Sequence, residues 1–91
     1  MMTGMDDLYR SLERMLEAAR RNDSEGFSRI NAGEFVPAWN DLNTKPDGIP
    51  PELQRYESCM TYCSCAVGIL HEQHEFWIGK AEKEFSEIPK P

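Results

Sequence analysis

Residues 51–88 read PELQRYESCMTYCSCAVGILHEQHEFWIGKAEKEFSEI, and this stretch decides the fold. From Leu53, the residues Tyr56, Met60, Cys63, Val67, Leu70, His74, Trp77 and Ala81 follow at alternating steps of three and four. That spacing lines one side of an α-helix, with the mean period of a coiled coil. A second stripe of Cys59, Tyr62, Ala66, Ile69 and Phe76 runs beside it. A helix apolar over so much of its circumference is buried on several sides. Ser64, Cys65, Ala66 and Gly68 are small enough to admit a close helix crossing.

Pro51 suits the first turn of this helix, and Pro89 stops it after about Glu87. An unbroken helix would span roughly 37 residues, or about 55 Å. Gly68 costs only about 1 kcal/mol in a helix interior. No Pro, Asn or Asp lies between Glu52 and Pro89 to turn the chain. The reading is therefore one long C-terminal helix, in preference to a break near Gly68. Its stripe is too long for the preceding segments to cover. A homodimer follows, with Met60, Cys63, Val67, Leu70, His74 and Ala81 in the seam.

Working outward, Leu8, Tyr9, Leu12, Met15, Leu16 and Ala19 form the apolar face of a first helix, about 24 Å long and ending near Asn22. Asp6 or Asp7 is its expected cap, and Arg20 and Arg21 suit its carboxyl end. Asp23 or Ser24 can cap a short helix carrying Phe27 and Ile30. Next comes a loop through Gly33, with Pro37 opening another short helix that holds Trp39 and Leu42. Phe35, Val36, Trp39 and Leu42 are expected in the core. Residues 44–51 read as a turn around Lys45-Pro46-Asp47-Gly48. The prediction is a single all-α domain over residues 1–91: a short N-terminal helix, a Pro- and Gly-punctuated middle and a long C-terminal helix, packed as a dimeric bundle.

Composition narrows the function. Sixteen acidic and ten basic residues give a net charge of −6, spread along the chain. Without a basic stripe, phosphate neutralisation cannot drive nucleic-acid binding. The most apolar run, from Cys59 to Leu70, falls short of the ~20 residues that span a bilayer. Residues Met1 to Leu8 lack the basic and apolar regions of a secretory signal. Three cysteines crowd into positions 59–65 and cannot all pair, which fits reduced thiols in the cytoplasm.

Chemical motifs are thin. Cys59 and Cys63 share a helical face and could supply half of a zinc site. His74 lies on their face but roughly 16 Å from Cys63 along the helix. His71-Glu72-Gln73-His74-Glu75 fails the zincin pattern, because its histidines are three apart rather than four. His71, His74 and Glu75 could bind a divalent ion weakly. The sequence holds no Gly-rich phosphate loop and no nucleophile–base set. Neither a cofactor nor a resident metal is expected, and an enzyme is the least favoured reading.

The expectation is a non-catalytic, acidic protein-binding module of the class that includes inhibitors, immunity proteins and phage-type host modulators. Its charge suits a partner with a basic surface. Trp39, Tyr56, Phe76 and Trp77 are the candidate anchors, since Trp and Tyr dominate interface hot spots. Two alternatives stand beside it. One is a metal- or redox-responsive protein using Cys59, Cys63, His71 and His74. The other is a small-ligand pocket at the dimer seam near Gly68, His71 and His74.

Overall fold

The structure, a computed structural model, describes residues 4–43, 48–69 and 71–90. The turn expected at Lys45-Pro46-Asp47 and the seam position Leu70 lie outside the described residues, as does the side chain of His71. Among the described residues every regular element is helical, so the all-α class holds.

Helix α1, Met5–Arg20, buries Leu8, Ser11, Leu12, Met15, Leu16, Ala18 and Ala19 along one side. Gly4 occupies the N-cap without a side-chain bond, so the cap expected of Asp6 or Asp7 is not made. Both aspartates sit in the first turn, where the exposed N–H groups favour negative charge. The other end closes with Asn22 in the left-handed region at φ 53°. Asn22 N–H bonds to Ala19 O and Asp23 N–H to Ala18 O, both at 2.9 Å. That pair of bonds is the Schellman closure, which satisfies the last carbonyls of a helix. Asp23 then caps the next helix by accepting the Gly26 N–H at 3.0 Å.

Helix α2 (Ser24–Ile30), a π-turn (Asn31–Phe35) and helix α3 (Val36–Leu42) follow without interruption. The loop expected through Gly33 is instead one wide turn of helix, in which Val36 N–H reaches Asn31 O. Two features of the sequence account for it. Pro37 has no N–H to give the preceding turn, so a regular ladder would fail there. The inward residues Ile30 and Phe35 are also five apart, a step that only a wide turn keeps on one face. Phe35 and Ala38 are buried as a result.

The long C-terminal helix is corrected by the structure. Helix α4, Pro51–Ala66, ends where Val67 turns extended, with ψ 141°. Gly68 follows at φ 76°, and helix α5, His71–Ser86, returns antiparallel against α4. Contacts fix the direction: the Cys59 thiol donates to Ala81 O at 3.4 Å, and Arg55 pairs with both Glu84 and Glu87. The physical reason is burial. Each sizeable apolar side chain removed from water stabilises by about 1.5–3 kcal/mol, so burying several of them together outweighs the loss of a few helical bonds at the break. Folding back lets the two halves of the stripe cover each other within one chain.

Helix α1 lies at the centre and touches α2, the π-turn, α3, α4 and α5. The core joins its inner face to Phe27, Phe35, Ala38, Leu53, Tyr56, Cys59, Cys63, Ala81 and Ile88. A radius of gyration of 12.7 Å is close to the ~12 Å expected of a compact chain of this length. No helix among the described residues is long and apolar enough to cross a membrane.

Candidate functional site

The expected seam residues now have an intrachain home. Cys63, His74 and Ala81 are buried, and Met60 and Val67 are half-buried, all within one copy. The geometric argument for a second copy along this stripe therefore falls, because the stripe is already covered.

The thiols lie inside the α4–α5 hairpin. Cys59 and Cys63 are fully buried and Cys65 is half-buried, and all three are free. The Cys59 thiol is held well above the usual thiol range, first by its hydrogen bond with Cys63 and then by burial. A metal ligand must be a thiolate, so this environment opposes the zinc reading. No group of three or more His, Cys, Asp or Glu side chains converges on a metal-sized site among the described residues.

His74 is 8% exposed, and both ring nitrogens face backbone carbonyls. Nδ1 lies 2.8 Å from Ala66 O and Nε2 lies 3.4 Å from Arg20 O, at the carboxyl ends of α4 and α1. Both nitrogens thus face backbone groups, and no hydroxyl or thiol of a described residue is hydrogen-bonded to either. The ring borders an open polar cleft of about 560 Å³, lined also by Arg20, Arg21, Asn22, Glu75 and Glu82. Arg20 is paired with Glu82 at 2.7 Å and with Glu17 at 3.1 Å, so this cleft carries no one-signed field.

The four expected anchors separate. Tyr56 is 1% exposed and belongs to the core, so its role as a surface anchor is withdrawn. Its hydroxyl is buried without a hydrogen-bond partner among the described residues. Phe76 and Trp77 meet edge to face at 5.1 Å on α5, and Trp77 stacks on Tyr62 of α4 at 5.8 Å. Lys80 Nζ lies 5.7 Å from the Tyr62 ring centroid and 5.2 Å from that of Phe76. Phe76 remains 57% exposed.

Trp39 lies elsewhere, stacked on Phe35 at 5.9 Å. With Phe35, Val36, Met60 and Glu57 it lines a notch of about 220 Å³ between α3 and α4. The π-turn builds this feature. By turning Phe35 and Ala38 inward, it leaves Val36 on the rim and 39% exposed, where the core was expected. Glu57 is the one carboxylate in the lining and makes no ion pair with a described residue. The sequence pointed to Trp39 here and missed Val36, Glu57 and the wall formed by Met60. The five-residue step from Ile30 to Phe35 was the available signal.

No protein-family model matches the chain, and no curated protein or solved structure matches it either.

Proposed function

We propose that this protein is a non-catalytic interaction module that binds another protein and inhibits or shields it. The observation that supports the reading is the α3–α4 notch. Its lining is apolar except for one carboxylate, Glu57, which pairs with no described residue, and its wall is a stacked Phe35–Trp39 pair. At about 220 Å³ it falls below the ~300–1,000 Å³ of small-molecule sites but accommodates an apolar side chain from a partner. A well-packed aromatic hollow is a usual setting of an interface anchor.

Charge specifies the partner further. The net charge of −6 steers a basic surface toward the molecule. A lysine or arginine beside the inserted side chain would meet Glu57. The reading assigns the chain no catalysis and no cofactor. It keeps the protein in the cytoplasm, where the free thiols Cys59, Cys63 and Cys65 stay reduced.

The test is site-specific photo-cross-linking in the cells that make the protein. A photoreactive residue at Val36 is compared with one at Glu25, exposed on α2. The expected result is a heteromeric adduct from Val36 alone, diminished by Glu57→Lys and by high salt. Equal adducts from both positions, or none from Val36, would overturn the reading.

A further inference from the structure

The outer face of α5 carries four residues turned away from the core. Glu72, Phe76, Gly79 and Lys83 follow at steps of four, three and four, and all are exposed. They lie opposite the buried His74 and Ala81, so none of them faces the core. Gly79 stands in the interior of this helix, where glycine destabilises relative to alanine. Nothing among the described residues requires it, for its φ is not in the left-handed region and an added Cβ would meet no described atom within 4 Å. Phe76, one turn away, is the most exposed large apolar side chain among the described residues. Glu72 and Lys83 make no ion pair with a described residue.

We infer that this face binds a second copy of the chain, with the two α5 helices antiparallel about a two-fold axis between Phe76 and Gly79. The order acid, aromatic, glycine, base is self-complementary under that operation. Each Phe76 ring seats over the Gly79 of the other copy, where the missing side chain leaves room. Each Glu72 meets the opposite Lys83, so both ends carry opposite charges. An isologous interface needs this property, since one patch must complement itself. Parallel copies would instead set Glu72 against Glu72 and Lys83 against Lys83.

The interface is one helix face, at the small end of specific interfaces, so the dimer is weak and concentration-dependent. It lies on a different element from the α3–α4 notch, and either surface can be abolished without the other. This inference therefore does not depend on the proposed heterologous partner.

Sedimentation velocity from micromolar to near-millimolar protein tests it. The wild type is expected to rise from 10.5 kDa toward twice that mass. Phe76→Ala should weaken association about tenfold or more. Glu72→Lys and Lys83→Glu should each weaken it, and the double variant, which exchanges the two charges, should restore it. Gly79→Leu separates association from folding: it fills the seat and should abolish the dimer while raising the melting temperature of the chain. A mass that stays at 10.5 kDa throughout overturns the inference, as does a Gly79→Leu protein that dimerises like the wild type. Val36 and Glu57 variants should leave association unchanged; a loss there would move the self-contact to the notch and refute the α5 face.

Discussion

The Asn22 side-chain oxygen accepts the Gly68 N–H at 2.6 Å, tying the turn after α1 to the turn between α4 and α5. The same amide donates to Ile69 O at 3.5 Å. One asparagine thus ends its own helix through its left-handed backbone and closes another turn through its side chain. The break in the C-terminal stripe is held from a distant part of the sequence.

Asn22→Ala should cost about 2 kcal/mol, because it removes these bonds and places alanine in a left-handed conformation. For a domain this small, that lowers Tm by roughly 8 °C or more. Gly68→Ala should cost about 1–2 kcal/mol from backbone strain, as its new methyl would touch no described atom. Thermal melts read both values, and shifts near zero would mean that the turn is not held this way.

Tyr56→Phe should leave stability unchanged or raise it by up to about 1 kcal/mol, since the removed hydroxyl is buried without a described partner. Burial, with Tyr9 and Asp6 adding to it, pushes the Tyr56 phenol above its ordinary 10.0. The folded state then keeps a proton that the unfolded state sheds. This contribution to stability is complete below the ordinary value and is lost as pH rises above it. Urea unfolding at neutral pH and in strong alkali should show a steeper alkaline loss for wild type than for the Phe variant.

Thiol labelling should separate the three cysteines. In the folded protein Cys65 should react first, while Cys59 and Cys63 wait for unfolding because they are fully buried. The raised Cys59 thiol carries the same sign as Tyr56, with stability lost as pH climbs past its ordinary 9.0. Mass spectrometry of partly alkylated protein identifies the sites. Labelling of Cys59 as fast as Cys65 would contradict the hairpin core.

Ala81→Leu should destabilise by about 1–3 kcal/mol through overpacking, because Ala81 is 0% exposed with the Cys59 thiol on its carbonyl. A denaturant midpoint unchanged from wild type would mean that α5 does not pack on α4 at this point.

Much of the architecture was legible locally. The Leu8-to-Ala19 periodicity marked α1, Asp23 marked the start of α2, and Pro50-Pro51 and Pro89 bracketed the last helical region. The site was less legible. Phe76 is exposed with the half-buried Trp77 against it, but Tyr56 turned inward and Trp39 joined a separate notch with Val36. An aromatic residue reads the same in sequence whether its neighbours cover it or not.

What the sequence determined by itself was the helical class and the helix ends marked by Asp23, Pro37, Pro51 and Pro89, because capping, proline geometry and periodicity act within a few residues. Only the tertiary structure decided whether the stripe from Leu53 to Ala81 stayed straight or folded on itself. A glycine at position 68 permits either outcome at small local cost. The choice fell to apolar area buried between α4 and α5, and to Asn22 and His74 bonding backbone groups at the break. Those terms exist only after distant segments meet, so no local pattern carries them.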